Sequence, residues 1–165
     1  MIYGSLKDNN MAVFIRMVDK YRIFPIVNGA RYELQPVWCG DLGKAYYQVL
    51  MSPEATKNKN YNLSGGEVIQ LIDIFKLISV RLGTKNTFVS IPYSVAYFGA
   101  YLLCLLTFRK KDYREKVQRL VEPRVYDHED ATRDFGYSPK SLHEGIMPEI
   151  EEYKAMKAIR EIHHK

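Results

Sequence analysis

Cysteine is scarce in this chain: Cys39 and Cys104 are the only two, far apart and in apolar surroundings. That excludes a disulfide-built scaffold and a cysteine metal cluster, and two buried thiols in a reducing cytoplasm are expected. The four histidines, His128, His143, His163 and His164, show no ligand spacing beyond the adjacent terminal pair, so no metal site is expected. A glycine-rich phosphate loop is lacking as well. No G-x-G-x-x-G or G-x-x-G-x-x-G follows a strand, and the pair Gly40 and Gly43 is too short a match and opens an amphipathic helix. A dinucleotide pyrophosphate therefore has no glycine turn to lie against. An unbroken membrane-length run is missing too. Ile91 to Phe108 is almost free of charge, but Pro92, Ser94, Gly99 and three tyrosines dilute it. A span needs about 20 apolar residues. A helix over 93–108, packed on the protein or a partner, is expected instead, with Tyr93, Tyr97 and Tyr101 along one face. No secretory leader opens the chain, and no repeat or low-complexity tract runs through it.

What is present suits one compact α/β unit. A chain of 165 residues, 47% apolar and 26% charged, can bury a real core. Thirteen tyrosines suit half-buried surfaces and sugar or nucleotide contacts alike. The formal charge of +5 favours an anionic partner, such as a diphosphate substrate or an anionic membrane. The stretch Arg109 to Arg119 sets six basic residues against Asp112 and Glu115. It reads as a solvated helix face, with peripheral membrane contact over 91–119 as the alternative.

Periodicity places the elements. Ile2 and Tyr3 end a strand. Asp8 and Asn9 can cap a helix whose Met11, Phe14, Ile15 and Val18 share one face. The run to Val27, then Asn28-Gly29, then Arg31 to Cys39 predicts a hairpin, with Pro25 and Pro36 at edges or strand ends. Asp41 reads as the cap of a helix with Leu42, Ala45, Tyr46, Val49 and Leu50 in a stripe. A polar loop over 53–60 leads to a short strand at Tyr61–Leu63. A helix from about Gln70 buries Leu71, Ile72, Phe75, Ile78 and Leu82 and closes at Gly83. Thr87 to Ile91 is a strand stopped by Pro92. Ser141 and Glu144 form a capping box, Pro148 breaks or restarts the last helix, and Ile150, Tyr153, Met156 and Ile159 lie on one side of it. Strands alternating with helices give a layered α/β architecture.

Four segments occur in order: Met1-Ile-Tyr-Gly4, Gln35-Pro-Val-Trp-Cys-Gly-Asp-Leu-Gly-Lys-Ala45, Tyr61-Asn-Leu-Ser-Gly-Gly66, and Asp134 to Gly145. Together they resemble the second half of the NAD(P)-dependent epimerase/dehydratase family, the extended short-chain dehydrogenases acting on nucleotide-activated sugars. The resemblance implies the C-terminal part of a Rossmann-like fold lacking its N-terminal dinucleotide-binding half. It implies a substrate-binding region over 1–146 and a helical tail over 147–165. It places Tyr3 and Gly4 near the cofactor, and Arg31, Gln35, Trp38, Arg119 and Arg124 near the substrate. Trp38 reads first as a core residue, with the substrate role second, and the family's arginine near Leu34–Gln35 is not present. NAD or NADP belongs to the full-length family enzyme, and none is expected on this chain alone.

The family's base is the tyrosine of Y-x-x-x-K, its pKa lowered by the lysine and the cofactor. Two literal matches occur, Tyr3/Lys7 across a turn and Tyr153/Lys157 on one helix face, and neither is expected to be catalytic. The resemblance thus implies a substrate-binding portion without autonomous turnover. Its expected partners are a nucleotide-sugar-like substrate, the missing half or a partner chain, and a second copy of itself, but not nucleic acid. The alternatives are a non-catalytic assembly module of the atypical branch, like the complex I accessory subunit of this fold, or a membrane-surface accessory protein.

Overall fold

The computed structural model describes residues 1–106, 114–119 and 121–163. The fold is α/β, as expected, with short strands whose partners are all distant in sequence. β1 (Ile2–Tyr3) runs parallel to β4 (Val37–Trp38), and β2 (Ile23–Val27) parallel to β6 (Thr87–Ile91). β3 (Glu33–Leu34) pairs antiparallel with β5 (Ile69–Gln70).

The predicted hairpin does not form. Asn28, Gly29 and Ala30 all adopt positive φ, at 46°, 72° and 51°, and make a single 3-10 turn that carries the chain away from β2. Asn28 is spent on tethering: its amide donates to the Tyr32 hydroxyl at 2.8 Å and accepts from the first amide of α5 (Tyr93–Leu106) at 2.9 Å. The expected long strand over 31–39 is split by Pro36 into β3 and β4. Tyr61–Leu63 is extended but belongs to no ladder.

The main core lies among three helices and one strand. α1 (Met11–Lys20) buries Met11, Ile15 and Val18. Its start is held by Asp8, whose Oδ1 accepts from the amides of Asn10 and Ala12. α4 (Leu71–Leu82) buries Leu71, Ile74, Phe75 and Ile78 and closes at Gly83 with φ 70°. From α9 (Met147–His163) come Ile150 and Tyr153, and from β2 come Phe24 and Ile26. The Phe75 ring meets Phe14 and Phe24, each at 5.0 Å between centroids. Pro148 sits in the first turn of α9, where its missing amide costs nothing, so it restarts the helix. The far end of α9 leaves the core, and Ile159 is exposed.

α2 (Cys39–Met51) differs most from expectation. It begins two residues before Asp41, which is therefore inside the first turn and not its cap. Only Asp41 and Ala45 are buried on it, while Tyr46 and Leu50 are 68% and 78% exposed. The stripe read from spacing is real, but half of it faces solvent. After α2 the expected loop contains a one-turn helix, α3 (Pro53–Thr56). A helix absent from the sequence reading, α7 (Glu129–Phe135), packs Ala131 and Phe135 with Ala45 and Tyr137 in a second small core. α8 (Leu142–Gly145) starts at Ser141, whose hydroxyl accepts from the Glu144 amide as the capping box requires.

α5 buries Ala100 and Cys104, stacks Tyr93 on Tyr97 at 5.8 Å, and packs against α6 (Arg114–Arg119). Its Val95, Phe98 and Leu102 are exposed. Residues 107 and 108 of the expected helix, and the basic residues 109–111, lie outside the described residues. Among those described, no helix is long and apolar enough to cross a membrane. Cys104 is buried as expected; Cys39, the first residue of α2, is exposed.

Candidate functional site at the carboxyl ends of two parallel strands

β1 and β4 end side by side, with Tyr3 opposite Trp38 and the Val37 amide donating to the Met1 carbonyl at 2.9 Å. In open α/β sheets, ligands lie beyond the carboxyl ends of parallel strands, where helices begin. Gly4 leaves β1 with φ 131°. A Cβ there would stand 2.6 Å from Cys39 Sγ and 2.8 Å from the pyrrole edge of Trp38. The benzo edge of the same indole overlies Gly40, which has no room for a side chain either. Trp38 thus lies between two glycines and is half-buried. The Lys140 ammonium stands 4.6 Å from its ring centroid, a cation–π contact at the solvent side.

Two carboxylates brace this corner. Asp41 Oδ2 accepts from the Lys140 amide at 2.9 Å. Glu67 Oε1 accepts from the Leu142 amide at 2.6 Å and lies 3.2 Å from His143 Nδ1. Tyr3 forms the floor: its ring is 1% exposed and its buried hydroxyl has no hydrogen-bond partner among the described residues. Burial, then the charges of Asp41 and Glu149, push its pKa well above the ordinary tyrosine range. Tyr3 therefore stays protonated at any ordinary pH and offers no base.

The remaining residues read from sequence fall in other places. Gln35 is buried, and both ends of its amide are engaged by backbone: Nε2 donates to Gly65 O at 2.9 Å and Oε1 accepts from the Tyr126 amide at 3.0 Å. Arg124 bridges to Leu34, donates its amide to Glu33 O, and sets its guanidinium 3.8 Å from the Glu122 carboxylate. It also lies near the Met1 ammonium, whose pKa is lowered by burial first and by Arg124 second. Gln35 and Arg124 thus stand at the amino ends of β1 and β4, and Gly4 and Trp38 at the carboxyl ends. Arg31 is exposed beside Gly29, in the β2–β6 sheet. Arg119 ends α6, and its side chain lies outside the described residues.

Tyr153 and Lys157 do meet, but across a third group. The Tyr153 hydroxyl donates to Asp19 Oδ2 at 2.9 Å, and Lys157 Nζ lies 2.8 and 2.9 Å from the same carboxylate. Burial and the Asp19 hydrogen bond push the Tyr153 pKa up to about 12, opposite to the shift a catalytic base needs. This pair clamps α9 to α1. Lys140 and Glu149 were not singled out by the sequence, and Asp8 was read only as a helix cap. The partners of Lys140 and Glu149 lie on other elements, at separations no local pattern reports.

The start of α2 does not fit the pyrophosphate of a dinucleotide. The helix that begins at the corner carries the buried Asp41 carboxylate in its first turn, where a phosphate would need positive potential. The described joints from β4 to α2, β5 to α4 and β6 to α5 hold no glycine loop.

The fold has clear counterparts among solved structures. UDP-glucose 4-epimerase with UDP-glucose from Thermotoga maritima is 22% identical, with a TM-score of 0.63, over 94% of this chain and 44% of its own. UDP-glucuronic acid 4-epimerase in complex with NAD from Bacillus cereus is 17% identical, with a TM-score of 0.63, over 94% and 43%. dTDP-glucose 4,6-dehydratase in complex with NAD from Bacillus anthracis is 13% identical, with a TM-score of 0.60, over 94% and 42%. No family profile and no curated protein matches the sequence itself. The class is therefore set by the fold: a partial Rossmann-like short-chain dehydrogenase fold of the kind found in nucleotide-sugar epimerases and dehydratases. The chain spans less than half the length of these structures.

Proposed function

We propose that this chain is the substrate-facing, C-terminal portion of a protein built like the nucleotide-sugar epimerases and dehydratases, and that it carries no hydride chemistry of its own. One observation carries this reading. Gly4, Trp38 and Gly40 form a corner at the carboxyl ends of two parallel strands, on a fold shared with structures that hold UDP-glucose or NAD. The indole offers an apolar face to a sugar ring, and Lys140 beside it offers a cation to a diphosphate. In this reading residues 1–146 supply specificity, and Arg31 and Arg124, which stand away from this corner, are not part of the substrate site. NAD or NADP is held by another half of the fold or by a partner chain.

A second reading, a non-catalytic assembly module, is favoured by the fate of Tyr153 and Lys157. Both are tied to Asp19, so the one tyrosine–lysine pair on a common helix face is structural.

Amide and indole NMR shifts decide between them. On addition of UDP-glucose or dTDP-glucose, the Trp38 indole N–H and the Gly4 amide should move, and NAD should move neither. If millimolar sugar nucleotide leaves both signals in place, the substrate-facing reading fails and the module reading replaces it.

A further inference from the structure

We propose that Asp8 and Glu149 share one proton between two buried oxygens, and that this proton locks the Gly4 turn to the first turn of α9. Glu149 is 2% exposed although it is a carboxyl in the first turn of a polar helix. Its Oε2 accepts from the Gly4 amide at 3.0 Å. Asp8 uses Oδ1 to accept from Asn10 and Ala12 at 2.7 and 3.2 Å, holding the start of α1. The other oxygens, Glu149 Oε1 and Asp8 Oδ2, are both buried and receive no donor from the described residues.

Two ionised carboxylates offer only acceptors, so these oxygens cannot bond to each other without a proton. Glu149 and Asp8 face each other within hydrogen-bond reach, where desolvated like charges repel. One proton taken from solvent turns one oxygen into a donor and closes a short charge-assisted bond. The bond would tie together β1, α1 and α9 at one point. Burial first, then Asp8, pushes Glu149 up to about 7, while the Gly4 amide opposes the shift. Tyr3 faces Glu149 from β1, Glu152 from α9 itself, and Arg16 of α1 is turned to the Leu6 carbonyl. Asp41, Glu67 and Cys39 surround Tyr3 in turn. The inference stands on these groups alone and not on the nucleotide-sugar reading.

The sign follows from linkage. A carboxyl whose folded pKa lies above its unfolded value near 4.3 binds its proton more tightly when folded. The stabilisation is complete below about pH 4 and is lost as pH rises through 7.

The test is carboxyl-carbon NMR on the whole chain, paired with melting curves from pH 5 to 8.5. The Glu149 side-chain carbon should titrate near neutrality, and Asp8→Asn, which supplies an amide donor, should return it toward the ordinary range. Wild type should lose about 3 °C or more in Tm across that interval. Glu149→Gln keeps an acceptor for Gly4 and gives Asp8 a permanent donor, so its melting curve should be flatter and its Tm higher at pH 8. A Glu149 carbon that titrates near 4 in the wild-type chain overturns the proposal, whether or not the variants fold. So does a Glu149→Gln profile parallel to wild type.

Discussion

Asp134 and Glu149 are carboxyls that their surroundings drive in opposite directions. Asp134 accepts from Lys59 Nζ at 2.7 Å and from the Tyr61 hydroxyl at 2.8 Å, and these bonds, Lys59 first, hold its pKa at about 2. Its contribution is therefore present above about pH 4 and lost as pH falls toward 2. Asp134→Asn should flatten the acid limb of a melting profile and leave the limb above pH 5 unchanged. Glu149→Gln should do the reverse. Melting of both variants from pH 2 to 8.5 checks the pair, and a common response of both limbs to either change would mean the two sites are not separate. Local spacing could not reveal either environment. Asp134 was visible only as part of a motif, and Glu149 as one acid in a polar helix. Their partners are 75 and 145 positions away. Trp38 was legible in both of its readings, and the structure keeps both: it packs on the core and shows one side to Lys140.

At the scale of elements, periodicity succeeded where one face is buried by close neighbours and failed where pairing is distant. α1, α4 and β6 stand where spacing put them, since Met11, Ile15, Ile74 and Ile78 meet one another across a single interface. The hairpin failed because Asn28-Gly29 encodes a turn but not the direction of the strand that follows. α7 was missed because seven residues hold too few apolar positions to show a period. α5 was read correctly as a helix, yet spacing could not tell which face is covered. Its exposed Val95, Phe98 and Leu102 lie at i, i+3 and i+7, beside a basic stretch. That combination suits shallow contact with anionic headgroups more than insertion. In vesicle flotation the chain should stay in solution with neutral lipid, and any binding to anionic vesicles should be reversed by salt. Salt-resistant flotation would make α5 an anchor.

The whole molecule presents apolar surface in more than one place. Tyr46, Tyr47, Leu50 and Met51 of α2 are all more than 60% exposed. Such a patch on a helix suits a protein neighbour, either the other half of the fold or a second copy. Light scattering should show mass rising with concentration, and Leu50→Glu with Tyr47→Glu should return the chain toward a monomer without lowering its Tm. A wild-type chain that stays monomeric at high concentration would remove the argument for a partner on this face. The overall fold was legible in four short motifs read together. The Asp19 clamp, the glycine-flanked indole and the shared carboxyls were not, because each joins segments that meet only after folding.

That same closure says when the chain can fold. Gly4 is held by Glu149, and Asp19 by Tyr153 and Lys157, so β1 and α1 are completed only by α9. β2 likewise waits for β6, some sixty residues later. During synthesis the first third of the chain therefore leaves the ribosome with its partners still unmade. Its apolar segments then depend on chaperones, or on an upstream neighbour, until α9 arrives.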